Sequence, residues 1–266
     1  MSDDYEYRGL IAEAWDLLRG DTSAWPDRAF YRALIDRRGG PVLDVGCGTG
    51  RLLLDYLADG VDIDGVDNSP DMLDLCRRRA AELSLDVAGR LFEQTMDRLD
   101  LSRTYGVILV PSSSFQLLTD PDAADAALRR FLTHLEPGGV LVISIMSKVW
   151  PGRRTPAHLQ WTDWFKIAEK ARPSDGLVIR RWTRAMYDLD AQLEHEENRY
   201  QLLDGETVVR EELHARSPAL RWYSQAQAQA ALQRAGFGEV SATSGFTFDL
   251  AAPEDTTFCV IGARLT

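Results

Sequence analysis

At 266 residues, 45% of them hydrophobic, the chain has material for one large domain or for a core with a smaller module. A formal charge of -11 repels phosphate backbones, which excludes nucleic acid from the expected partners while favouring a small cation. The cysteines, Cys47, Cys76 and Cys259, are odd in number and widely spaced, which excludes a disulfide framework and a cysteine zinc site.

The opening residues MSDDYEYRGL are acidic and lack the apolar core of a signal peptide, and no apolar run approaches a membrane span. A cytoplasmic protein without a membrane partner is expected. Residues 5 to 38 read as helices, broken at GDTSAWPD. Strands and amphipathic helices then alternate. PVLDVG is a strand and RLLLDYLADG a helix; VDIDGVD is a strand, followed by the helix SPDMLDLCRRRAAEL with Ser69 as N-cap and Pro70 in its first turn. GRLFEQ and YGVILVP are strands, DPDAADAALRRFLTHL is a helix capped by Asp120, and PGG leads into the strand VLVISIM. This alternation predicts βαβ units and a parallel sheet.

After residue 146 the pattern changes. Residues 147 to 176 read as loop, rich in Pro and Trp. LVIRRWTRAMYDL, QLEHEENRYQLL and TVVREELHARS read as antiparallel strands, with a hairpin signal at Asp204 and Gly205. SQAQAQAALQRAGF is a helix ended by Gly236, and EVSATS and TTFCVIGARL are closing strands.

The informative motif is VLDVGCGTGR, residues 42 to 51. A strand feeds a loop with Gly46, Gly48 and Gly50, where backbone N–H groups become approachable by a ligand. A P-loop would need G-K-[ST], which is absent; a dinucleotide fingerprint would need its third glycine one residue later, where Arg51 stands. What remains is G-x-G-x-G with Asp44 before it and Asp67 at the end of the next strand. A carboxylate at Asp67 can accept both hydroxyls of a ribose, and Asp44 is placed to face a cationic amino-acid end. The alternative is a purely structural glycine turn.

VLDVGCGTGR, GVDNSPDML, YGVILVPSSSFQLL and LEPGGVLVISI resemble successive motifs of the class I S-adenosylmethionine-dependent methyltransferases. The antiparallel insert and the ending RWYS…LQRAGF resemble the small-molecule subgroup that includes amino-sugar N-methyltransferases of natural-product pathways. The resemblance implies a Rossmann-like, seven-stranded, mostly parallel sheet whose last strand is reversed. It implies a helical N-terminal lid over residues 1–39, a core of 40–146 and 224–266, and an acceptor cap of loop and antiparallel strands over 147–223.

It also implies residue roles. Gly46, Cys47, Gly48 and Gly50 would line the methionine part of S-adenosyl-L-methionine, which leaves as S-adenosyl-L-homocysteine. Asp44 would hold its amino end, Asp67 the ribose diol, and Asn68 and Met72 would flank the adenine. Many relatives have an acid on the third strand where this chain has Thr95; Thr95 and Met96 would contact the ring. Tyr7 and Trp15 resemble the lid. Val110 and Pro111 would lie beside the reacting methyl, and Ser112, Ser114, Phe115 and Gln116 would form the acceptor floor.

Some amino-sugar methyltransferases carry a histidine where this chain has Gln116, an amide that can orient an acceptor but cannot take a proton. Methyl transfer is an in-line displacement, and placement of the nucleophile is worth roughly 7–11 kcal/mol. A general base adds roughly 3–5 kcal/mol, so a site that works by positioning is physically reasonable. Of four histidines, His214 is the candidate base and His158, in the Pro/Trp loop, could line the acceptor site; His134 and His195 read as structural or solvated, and none pair at metal-ligand spacing, so no metal is expected. Trp150, Trp182 and Tyr223 are candidates for an apolar acceptor pocket. The methylated atom, nitrogen or oxygen, stays open. So do a non-transfer reaction such as cyclisation on the same scaffold, a non-catalytic binder, and a monomer or homodimer.

Overall fold

The computed structural model describes residues 7–148 and 155–266. The chain divides into two compact units, one holding residues 7–22 and 155–221, the other residues 23–148 and 222–266.

The larger unit is built on a seven-stranded sheet. Its strands are β1 (Val42–Val45), β2 (Ile63–Asp67), β3 (Leu91–Glu93), β4 (Tyr105–Val110), β5 (Leu135–Met146), β10 (Gly238–Ser244) and β11 (Thr257–Ala263). Their order across the sheet is β10-β11-β5-β4-β1-β2-β3. The first five strands pair parallel, and β11 runs antiparallel to both β5 and β10. Every residue of β1, β2 and β4 is buried, because helices cover both faces and leave no solvated side to alternate toward.

One face packs under α5 (Pro121–His134) and α6 (Gln225–Ala235), with Val45, Ile108, Val110, Phe131 and Leu232 in its core. The other packs under α2 (Pro26–Arg38), α3 (Leu53–Ala58) and α4 (Pro70–Glu82), with Phe30, Val42, Leu53, Leu73 and Leu109. The expected caps form: Ser69 Oγ accepts from Met72 N at 3.1 Å, and Asp120 Oδ1 accepts from Asp122 N at 3.0 Å. Gly236, in the left-handed region at φ 102°, ends α6.

The smaller unit joins α1 (Gly9–Arg19) to an antiparallel sheet ordered β6-β7-β8-β9, with β6 Phe165–Ala171, β7 Val178–Asp188, β8 Leu193–Asp204 and β9 Thr207–Arg221. Leu10, Ile11 and Ala14 of α1 lie on Ile179, Tyr200 and Leu202. The N-terminus of α1 is fixed by Glu212 on β9, whose Oε2 accepts from Leu10 N at 2.8 Å.

Two expectations change. The segment 1–39 does not act as one lid: α1 belongs with the antiparallel sheet, while α2 contributes Phe30, Tyr31, Leu34 and Ile35 to the core of the parallel one. And β6 lies inside the stretch expected to be loop; it is an edge strand with six of its seven residues exposed, so it carries no burial alternation to read. No helix among the described residues is long and apolar enough to cross a membrane.

Candidate active site

The strand order reverses between β1 and β4, so the loops leaving their carboxyl ends part to opposite sides and open a crevice. The glycine loop after β1 and the serine turn after β4 meet there: a Cβ built on Gly46 would lie 2.8 Å from Ser114 Oγ and 3.7 Å from Met96 Cε. Gly46, Ser114 and Met96, from three separate segments, therefore share one wall.

The loop's three glycines do different work. Gly46 makes room for Ser114. At Gly50 a Cβ would strike Cys76 Sγ at 2.6 Å and Leu54 Cγ at 2.8 Å, so this glycine permits α4 to pack. Gly48, at φ +54°, has open space where a side chain would be, and its N–H donates to Asp67 Oδ2 at 2.8 Å. The other oxygen of Asp67 accepts from Ser69 N at 2.9 Å. Asp67 is 8% exposed, and burial pushes its carboxyl above the usual range despite these N–H groups.

Asp44 lies on the opposite wall from Val45, toward α2 and α3, and is 1% exposed. Burial pushes its carboxyl up to about 7; the Arg51 guanidinium acts against this, while Asp67 and Asp27 add to it. Arg51 is itself held by a two-pronged ion pair to buried Asp27, at 2.5 and 3.2 Å. One oxygen of Asp44 takes the Leu53 N–H, and Oδ1 is buried with no hydrogen-bond partner. An orphaned carboxylate oxygen suits a cationic group.

The remaining sequence candidates are placed as follows. Asn68 and Thr95 are exposed at the ends of β2 and β3, and Met72 is buried in the first turn of α4. Val110 and Pro111 are buried, with Pro111 O accepting both Ser114 N at 3.0 Å and Ser114 Oγ at 2.8 Å. Ser112 and Ser113 both adopt left-handed backbone, at φ 55° and 60°, a conformation costing about 1–3 kcal/mol per residue. Ser113 N is tied to Ser144 Oγ at 3.2 Å. The serine run is thus a strained, self-bonded reversal of the chain.

Three expectations are corrected by side-chain direction. The Cys47 thiol turns inward, onto the position a Cβ at Gly65 would occupy, and its N–H goes to Val66 O, so it lines packing rather than the crevice. Phe115 is 3% exposed and sits in the core against Tyr223, ring centroids 5.8 Å apart, so it is no acceptor floor. Gln116 is wholly buried; its Nε2 donates to Met146 O at 3.1 Å and its Oε1 accepts from Met146 N at 2.8 Å. Its amide clamps the end of β5 instead of orienting an acceptor. Trp182 bonds Gln201 at 3.2 Å on the sheet face opposite to α1. Trp150 lies outside the described residues.

In the smaller unit Tyr7 and Trp15 meet edge to face at 4.7 Å. Trp15 also lines a cavity of ≈ 210 Å³ with Ile11, Tyr200 and Arg181. His214 Nε2 contacts Glu212 Oε2 at 3.0 Å, which orients the ring, and it stands edge-on to Tyr200. Among the described residues its Nδ1 has no hydrogen-bond partner. His134 is structural: Nε2 accepts from Leu101 N at 3.0 Å and Nδ1 faces Arg130 O at 2.7 Å.

Comparison with known proteins adds the following. Residues 42–139 match a family model described as a methyltransferase domain. A curated relative from Streptomyces fradiae, dTDP-3-amino-3,6-dideoxy-alpha-D-glucopyranose N,N-dimethyltransferase, is 35% identical over 52% of this chain and 54% of its own length. The chain thus spans about half of that relative. Streptomyces venezuelae DesVI is a solved structure with a TM-score of 0.68 and 25% identity, covering 96% of this chain and 99% of its own. The CcbJ methyltransferase of Streptomyces caelestis has a TM-score of 0.75 and 21% identity, covering 96% of both chains. Residues 42–139 are thus similar to a methyltransferase domain, and the fold is similar to that of solved methyltransferases.

Proposed function

We propose that the chain, whose residues 42–139 match a methyltransferase domain, is an enzyme that methylates a small-molecule acceptor of the amino-sugar type, with S-adenosyl-L-methionine as donor. The observation that carries the reading is the orphaned, buried carboxylate oxygen of Asp44, on the strand whose glycine loop is tied to Asp67 through Gly48. A ligand with a cationic amino-acid end and a ribose has a use for both acids. The 35% identical relative named for a dTDP-amino-sugar supports the acceptor class.

S-adenosylmethionine, when bound, supplies a methyl group on a sulfonium with a neutral thioether as leaving group. The chain supplies the placement. Asp67, held by Gly48 and Ser69 N–H, is assigned the ribose hydroxyls; Asp44 is assigned the amino group. Asn68, Met72, Thr95 and Met96 are assigned the adenine side, and Val110, Pro111 and Ser112 the rim of the crevice. Gln116 keeps the rim rigid. The unit of α1 and β6–β9 is assigned the acceptor. There His214 would accept a proton at Nδ1 while Glu212 holds Nε2.

Burial of an ammonium acceptor costs a proton: an alkylamine of pKa near 10 needs about 4 kcal/mol to deprotonate at pH 7. A histidine oriented by a carboxylate provides a recipient for it. Calorimetric titration with S-adenosylmethionine and S-adenosylhomocysteine tests the donor, and incubation with dTDP-3-amino-3,6-dideoxy-α-D-glucopyranose tests the acceptor by a mass gain of one methyl group. A folded, ligand-free protein that binds neither donor form would refute the reading.

A further inference from the structure

β8 carries Glu196 and Asn198 two residues apart, so both side chains point to one face of the sheet, the face that α1 partly covers. A single guanidinium crosses from β7 to hold them. Arg181 Nε and Nη2 donate to Asn198 Oδ1 at 2.9 and 2.8 Å, and Nη2 also reaches Glu196 Oε1 at 3.3 Å. Thr183 Oγ1 donates to the same Glu196 oxygen at 3.1 Å. Asn198 is 5% and Thr183 4% exposed, so this bracket is built into the unit and does not sway on its surface.

The bracket leaves one acceptor and one donor over. Among the described residues Glu196 Oε2 and Asn198 Nδ2 have no hydrogen-bond partner. They project from positions about 7 Å apart along the strand. Arg181 compensates the charge of Glu196, so Oε2 can take a neutral hydroxyl without needing a cation. Arg181 and the neighbouring Tyr200 also line the ≈ 210 Å³ cavity, whose further walls include Trp15 and Ile11. A rigid acceptor–donor pair beside an aromatic wall is chemistry that recognises a ring with two hydroxyls and an apolar face.

We infer that Glu196 and Asn198 form the sugar-reading bracket of the acceptor site: Glu196 Oε2 accepts from one ring hydroxyl, Asn198 Nδ2 donates to a second, and Tyr200 and Trp15 wall the ring. This rests on the amino-sugar reading above and specifies it. Glu196 and Asn198 are specificity-determining residues with no part in the proton transfer.

The test is calorimetry on the full chain saturated with S-adenosylhomocysteine. The titrants are dTDP-3-amino-3,6-dideoxy-α-D-glucopyranose and its analogues with each remaining ring hydroxyl removed in turn. Glu196→Gln keeps an oxygen for Arg181 and Thr183 but turns the free acceptor into a donor. It should weaken the parent sugar roughly 10- to 100-fold, the scale of a lost hydrogen bond to a charged group, and leave S-adenosylhomocysteine affinity unchanged. The penalty should vanish for one deoxy analogue alone, which a merely structural role would not produce. Asn198→Ala should do the same for the other deoxy analogue. Equal penalties for all analogues, no penalty for any, or a wild-type protein that binds the donor product and none of the sugars would overturn the bracket. Sugar binding without donor binding would uphold it and sink the methyl-transfer reading instead.

Discussion

Asp44 offers the sharpest test of the crevice. Its carboxyl is pushed from 3.8 up to about 7, chiefly by burial. A rise of this size corresponds to about 4 kcal/mol of differential stability between protonated and ionised forms. In the free protein the sign follows from linkage. The folded pKa is the higher one, so the native state retains a proton the unfolded chain has lost between those values. The stability contribution is fully present below pH 3.8 and is lost as pH rises through about 7. Asp44→Asn removes that loss. Its amide N–H₂ at the orphaned position would lack an acceptor, at about 1–3 kcal/mol. The variant should therefore exceed wild type by about 1–3 kcal/mol at pH 8 in urea unfolding, and fall below it by about as much near pH 4, where wild type keeps its proton.

Ligand binding should show the same proton. Pairing Asp44 with an ammonium forces its ionisation, so at pH 7 about half a proton leaves, partly offset by roughly 0.1 taken up by the α-amino group. Calorimetry of S-adenosylmethionine binding in buffers of different ionisation enthalpy should give a net release of roughly 0.4 proton for wild type. Asp44→Asn should bind at least tenfold more weakly and release none. Buffer-independent heats, together with unchanged affinity of the variant, would refute both the placement of the amino group and the account of the orphaned oxygen.

Other outcomes follow from the same geometry. Asp67→Ala should weaken S-adenosylmethionine about 10- to 100-fold by calorimetry, since hydrogen bonds to a charged group are lost. Gln116→Ala removes the clamp on Met146 and should destabilise the fold by about 1–3 kcal/mol in urea, leaving donor affinity close to wild type. Arg51→Met strands the buried carboxylate of Asp27 and should cost about 3–5 kcal/mol, with thermal unfolding as the readout.

The parallel sheet was legible because short strands alternate with amphipathic helices, β4 reads as an unbroken apolar run, and Ser69, Asp120 and Gly236 punctuate their helices with residues whose capping chemistry is local. The glycine loop and Asp67 were legible as a spacing. Side-chain direction was not. Cys47, Phe115 and Gln116 sit at strand ends, where the turn decides which way each points, and the two left-handed serines rotate everything after Pro111. β6 was hidden because an exposed edge strand has no buried face to impose alternation. Glu196 and Asn198 were hidden differently: LEHEEN is acidic and reads as solvated, and only the β7 register brings Arg181 across to compensate the acid.

The contact between Gly46 and Ser114 makes two loops into one mechanical part. Ser114 is bonded back to Pro111 O, and Ser113 to Ser144, so the serine turn has little freedom to retreat from a bulkier neighbour. Any side chain at residue 46 would push on the β4 turn, and any larger residue at 114 would push on the glycine loop. Redesign of the chain for a new ligand at either loop would therefore have to change both at once, and single substitutions there should show strong epistasis where ordinary surface loops show none.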